Sequence, residues 1–328
     1  MASRDECHCL SGGQTENTSV RSTVERAVRL TRLVTDYLLG WIVLAVLVGV
    51  VFPLLAVITQ FSTPILVVMV GSTALLLSVD DVRSVNRRVL FGILLAHGVM
   101  PLLAFGIARS LGLSPGVTAG FVLLGAVTPE LVSPTMTALA DGDVALSSIS
   151  LVTIGVVSVG YAPAIVPGLL GGTVHVAAGR LVTELLVAVV LPMAVAIFAR
   201  SRYERAVARY DEYYPAIAAV MVVLMIGGVA AANASLLRGS RLVLLTTVGA
   251  LALNVLGYGL GWTATGLAGG APPARTAGTF AVGMRDFAVA AALVVAAGFP
   301  AEAALPAVCF GIVEMATSAG LARHLSRQ

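Results

Sequence analysis

Five ionisable side chains stand inside long apolar stretches of this sequence: His97, Glu130, Arg285, Asp286 and Glu314. A charge at the centre of a bilayer costs about 3 kcal/mol even on lenient scales, so each is a candidate for function. Glu130 falls in Thr128-Pro129-Glu130, with Ser133-Pro134 just beyond it. Arg285 and Asp286 fall in Gly283-Met284-Arg285-Asp286. A proline inside a helix removes a backbone donor and breaks the ladder. Irregular backbone at membrane depth is tolerated where it lines a cavity. The expected chemistry is recognition of an anion. Arg285 would face a carboxylate or sulfonate, and Glu130 would balance it when the site is empty. Asp286 stands beside them, and Ser133, Thr135 and Thr137 would supply hydroxyl donors. The alternative is a buried Glu130–Arg285 brace between two helices, which the same residue types would also make. For His97 and Glu314 the structural and functional readings stay open.

Composition bounds what these residues can belong to. Apolar residues make up 58% of the 328 and charged ones only 11%, with a mean hydropathy of +0.97. A soluble domain is nearer half apolar and a quarter charged, and a disordered chain is more polar still, which leaves a polytopic helical membrane protein. Net charge is +3, and all 20 basic residues are arginine without a long basic tract, so no nucleic-acid partner is expected. Cys7, Cys9 and Cys309 are too few for a disulfide framework. Cys7-His8-Cys9 lacks the further ligands of a metal site. No His-Glu-x-x-His, Gly-x-Ser-x-Gly or phosphate-loop motif occurs, so neither enzymatic activity nor a cofactor is expected. Gly257-Tyr258-Gly259-Leu260-Gly261 lies in an apolar run, where small residues let helices approach closely.

The elements that must position the charges follow from hydropathy. Residues 1–36 are polar, contain five arginines and lack a signal-peptide pattern. They read as a mobile cytoplasmic tail. Apolar runs then fill 37–59, 61–79, 89–110, 115–140, 143–171, 176–199, 213–235, 241–263, 273–298 and 301–323, each near the roughly 20 residues that span a bilayer. Ten spans predict an all-α membrane domain over 37–323, with a cytoplasmic end at 324–328. Alternating spans from a cytoplasmic N-terminus put fifteen arginines inside and four outside, with Arg285 within a span. Both termini are then cytoplasmic. Spans four and nine carry the matched interruptions, so the chain reads as two five-helix repeats, 37–171 and 176–323. Five being odd, the second is inverted, and the interruptions point to a midplane site. Asp141 and Asp143 read as a solvated turn.

Three stretches resemble the bile acid:sodium symporter family, within the bile/arsenite/riboflavin transporter superfamily. The first is Leu77-Ser78-x-Asp80-Asp81, Met100-Pro101-Leu102-Leu103-Ala104 and Leu123-Leu124-Gly125-Ala126. The second is Ser133-x-x-Met136-Thr137-x-Leu139-Ala140-x-Gly142-Asp143-Val144-Ala145-Leu146-Ser147. The third is Asn254-x-x-Gly257-Tyr258-x-x-Gly261, then Ala274-Arg275-Thr276 and Val282-Gly283-Met284. The resemblance implies a secondary transporter with a panel and a core domain, the core holding crossed discontinuous helices four and nine. It also implies sodium ligands, most of which are replaced here by Ala96, Pro134, Leu151, Ala281 and Arg285. Ser133, Ser147 and carbonyls around Val282 and Met284 remain, too few for the five or six oxygens a hard cation takes.

The function expected is secondary transport of a small organic anion across the plasma membrane, with lipid as the other partner. Coupling to sodium at the family's two sites is not expected. A proton on Glu130, Asp286 or Glu314, with His97 as a further candidate, is one alternative; a lone sodium on Ser133, Ser147 and carbonyls is another. The rival functions are an arsenite-type exporter, which would need a fourth-span cysteine where Val127-Thr128-Pro129 stands, and a non-transporting membrane sensor.

Overall fold

A backbone in lipid must satisfy its own N–H and C=O groups, and the described residues of the apolar runs are accordingly mostly helical. The computed structural model describes residues 37–77, 85–172, 174, 177–238 and 240–326, and among them no strand occurs. The expected tail over 1–36 lies outside the described residues, as do Asp80, Asp81, Arg83 and Arg327.

Helix α1 is Leu38–Val51, followed by a 3-10 turn Pro53–Phe61 that runs into α2, Ser62–Ala74. Next come α3 (Arg87–Ser110), α4 (Pro115–Ala126), α5 (Ser133–Leu139) and α6 (Val144–Leu170). Helix α7 (Ala178–Leu185) passes through a π-type turn into α8 (Leu191–Arg202), and short α9 (Glu204–Ala208) leads to α10, Tyr214–Ala232. After one further turn, α11 (Ala234–Leu237), the chain ends with α12 (Ser240–Leu267), α13 (Pro272–Gly283), α14 (Phe287–Ala296) and α15 (Leu305–Leu325). Among the described residues, eight helical segments are long and apolar enough to cross a membrane; the other two apolar runs give the shorter α1 and α4. The chain is a multi-pass membrane protein.

Caps fix where several helices start. Asn86 Oδ1 accepts from Arg88 N–H at 3.0 Å, and Ser114 caps α4. Asp143 Oδ1 accepts from Leu146 N–H at 2.9 Å to start α6. The Asp141–Asp143 turn is more than a solvated link, because Asp143 N–H also donates to the Pro273 carbonyl at 2.9 Å and ties it to the start of α13.

Helices α1, α2 and α10 pack together, while α3, α4, α12 and α13 form a second group and α14 and α15 lie against members of both. Gly257 and Gly261 of α12 serve close packing, as their setting suggested, while a Cβ on Gly259 would meet open space. A Cβ on Gly261 would fall 2.1 Å from the Gly278 carbonyl oxygen, and one on Gly257 would fall 2.8 Å from Gly283 Cα. Bare backbone on this face brings α12 against the end of α13, where the chain breaks.

Candidate binding site

Two helix interruptions meet inside the protein. The first runs over Val127–Val132 between α4 and α5; the second is Met284–Asp286 between α13 and α14. Pro129 explains the first, since it withholds a donor and keeps Thr128 out of the helical region. Pro134 then sits in the first turn of α5, where its missing N–H costs nothing. At the second, Met284 is extended (φ −86°, ψ 135°), and Asp286 restarts the helix by accepting Val289 N–H on Oδ1 at 2.8 Å. The two breaks touch directly: Asp286 N–H donates to the Thr128 carbonyl at 3.0 Å.

The second break is braced from two neighbouring helices. Asn254 on α12 donates its amide to the Gly283 carbonyl at 3.1 Å, and Thr317 on α15 donates to Asn254 Oδ1 at 2.7 Å. Glu314, one turn before Thr317, accepts the Arg285 backbone N–H on Oε2 at 3.3 Å. Backbone groups released by the interruption thus find side-chain partners, as burial in a lipid-embedded protein demands.

Arg285 is completely buried. Its Nη1 lies 2.5 Å from His97 Nδ1 on α3 and donates to the Val127 carbonyl at 3.4 Å. The expected Glu130–Arg285 ion pair does not form. The Arg285 guanidinium turns to His97, and the single ion pair among the described residues is Arg200–Asp211, far along the chain at the end of α8. Glu130 is buried with Oε2 unpartnered and interacts electrostatically with Asp286 and Glu314. Burying a charged group without a hydrogen-bond partner is expensive, so each orphaned atom here calls for a physical reason. The others in this region are Arg285 Nε and Nη2, Asp286 Oδ2, Glu314 Oε1 and the hydroxyls of Ser133 and Ser147.

The expected site residues separate into groups. His97, Arg285, Asp286 and Glu314 converge on the second break, and Glu130 lies in the first. Val282 and Met284 flank the second break and are buried. Ser133 and Ser147 are buried with free hydroxyls. Two expectations need correcting. Thr137 Oγ1 donates back to the Ser133 carbonyl at 2.8 Å, one helical turn earlier, which leaves that proton committed. Thr135 is on the exposed side of α5. Helix periodicity alone separates Thr135 from its neighbours, because successive residues point about 100° apart. The helix N-terminus at α14 is occupied by the carboxylate of Asp286.

Asn254 and Thr317 were not singled out as site residues. A lone asparagine in the apolar run 241–263 was a usable signal, since a buried amide needs partners. The Thr128 carbonyl was not legible, because any residue offers one.

The profile of the Sodium Bile acid symporter family matches residues 63–240. The chain is 27% identical over 296 residues to the "Uncharacterized sodium-dependent transporter YocS" of Bacillus subtilis, covering 88% of this chain and 90% of that protein. It is 30% identical over 191 residues to "Probable sodium/metabolite cotransporter BASS1, chloroplastic" of Arabidopsis thaliana, covering 57% of this chain and 47% of the plant protein. A rice relative, "Probable sodium/metabolite cotransporter BASS2, chloroplastic", is 25% identical over 251 residues, covering 74% of this chain and 59% of its own length.

Proposed function

The chain belongs to the sodium bile acid symporter family and is a secondary transporter, and from that premise we propose that it moves a small organic anion bound where its two helix breaks meet. One observation carries the reading. Arg285 is a fully buried guanidinium at that junction, and its Nε and Nη2 have no partner in the protein. A fixed cation with free donors is suited to an anion, since charge-assisted hydrogen bonds are the strong ones. Glu130, Ser133 and Asp286 would shape the remainder of the site. Matched interruptions in corresponding spans support ten spans arranged as two inverted five-helix repeats. The arginine distribution supports cytoplasmic termini, and the plasma membrane is the membrane we propose. Transport, and not enzymatic turnover, is the activity this arrangement fits.

The relatives' names carry sodium dependence; for this chain we propose transport that does not require sodium at the family's two sites. Ala96, Pro134, Leu151 and Ala281 offer no side-chain oxygen there, and Arg285 would repel a cation. A second reading has its own support in the free hydroxyls of Ser133 and Ser147, which could contribute to one sodium. A thermal-shift screen of the purified protein against carboxylates, sulfonates and bile salts, with and without sodium, tests both. Binding to the folded state raises its stability. Stabilisation by anions in sodium-free buffer is expected. Stabilisation appearing only with sodium would replace the first reading with the second, and none by any anion would overturn the organic-anion assignment.

A further inference from the structure

Arg285 has two distinct edges, and the protein uses only one. Nη1 is engaged, by His97 Nδ1 at 2.5 Å and by the Val127 carbonyl at 3.4 Å. Nε and Nη2, which lie together on the side-on edge of the guanidinium, are buried and without partners. An unsatisfied buried donor costs about 1–3 kcal/mol, and more when it is charged. Two of them on one edge therefore form a preset fork, whose parallel N–H groups match the two in-plane oxygens of a carboxylate.

The surroundings narrow the ligand further. Glu314 holds the Arg285 backbone N–H, Asp286 is the next residue, and Glu130 interacts with both of those acids. Oxygens on all three carboxyl groups are unpartnered. They disfavour a second negative charge on the ligand. A sulfonate or phosphate would also bring a third oxygen that the two-donor fork cannot bond, beside groups rich in acceptors.

His97 decides which edge is free. Nη1 can only donate, so the ring nitrogen that accepts from it, Nδ1 at 2.5 Å or Nε2 at 3.3 Å, must be unprotonated. Pro101, one turn further along α3, lacks the N–H that would bond the His97 carbonyl, and Tyr161 on α6 donates to the adjacent Gly98 carbonyl. His97 thus stands on a stretch of α3 that Tyr161 of α6 ties at the adjacent residue, and its ring meets Arg285.

We propose that the Nε–Nη2 edge of Arg285 receives the planar carboxylate of a monocarboxylic acid, and that His97 is the positioning residue that keeps this edge turned towards it. The inference rests on the organic-anion reading and specifies its chemistry. It is tested on the purified full-length protein by calorimetric titration with matched pairs, propionate against ethanesulfonate and benzoate against benzenesulfonate, and with the dianion succinate. In each pair that binds, the carboxylate should bind at least about tenfold more tightly, the scale of one charge-assisted hydrogen bond. Succinate should bind more weakly than propionate. Arg285→Lys keeps the charge and removes the fork, so carboxylate affinity should fall about 10- to 100-fold. His97→Asn retains an acceptor at the Nδ1 position and should preserve the preference for carboxylate, while His97→Leu should reduce it to near unity. Equal or tighter binding of sulfonates, tighter binding of succinate, or an unchanged preference in His97→Leu would overturn the proposal while leaving an anion transporter in place. Failure of every probe, carboxylate and sulfonate alike, would overturn both. If the variants do not fold, the matched pairs on the unmodified protein decide alone.

Discussion

The two breaks meet at one backbone hydrogen bond yet are built from opposite materials. The first, Val127–Val132, is made by proline and contributes main-chain oxygens: Thr128 to Asp286, and Val127 to Arg285. The second, Met284–Asp286, contains no proline and is held open by side chains from α12, α15 and α3, namely Asn254, Glu314 and His97. A proline break is a local property of the chain, whereas a braced break depends on residues 29 to 188 positions away. The first break should therefore tolerate side-chain changes that the second does not.

Arg285→Leu gives the largest expected effect. It removes the cation and leaves Glu130, Asp286 and Glu314 buried without it, and losing one partner of a buried charge network costs about 3–5 kcal/mol. Uptake into proteoliposomes should drop at least about a hundredfold, against a few-fold for Ser133→Ala in the first break. Equal losses would erase the distinction between the two. Next come double-mutant cycles on thermal stability. The contact of Arg285 with His97 predicts a coupling of about 0.5–3 kcal/mol, and the absence of an Arg285–Glu130 bond predicts a smaller one. A larger coupling to Glu130 would restore the brace expected from residue types. Asp286→Ala should cost about 1 kcal/mol through loss of the α14 cap, and Asp286→Asn, which keeps an acceptor, much less. Full stability of the alanine variant would mean that the second break is maintained without its cap. The smallest effect expected is none: replacing external sodium with choline should leave uptake unchanged. A steep sodium dependence would show that the first break and its neighbours, Ser133 and Ser147 above all, bind a cation after all.

Much of this architecture was legible because lipid simplifies the rules. The described residues of the apolar runs are mostly helical, eight segments of them long enough to cross a membrane, and Thr128-Pro129-Glu130 and Gly283-Met284-Arg285-Asp286 marked the places where helix stops. Gly257 and Gly261 signalled the close approach of α12 and α13. Pairing was less legible. Opposite charges on Glu130 and Arg285 suggested partners, but which way a long guanidinium turns is set by helix rotation, and His97 was within its reach. Thr137 was misread because a helical threonine can bond its own preceding turn, and the Thr128 carbonyl had no signal because backbone acceptors leave no trace in residue type.

The bond from Asp286 N–H to the Thr128 carbonyl joins peptide to peptide. No substitution outside proline at residue 286 can delete it, for every other amino acid supplies the same two groups. The junction is consequently indifferent to the vocabulary of side chains around it, and a lineage could exchange one set of ligating oxygens for a guanidinium without losing the scaffold on which either is mounted. A change of cargo or driving ion on this frame needs only new furniture, not new carpentry.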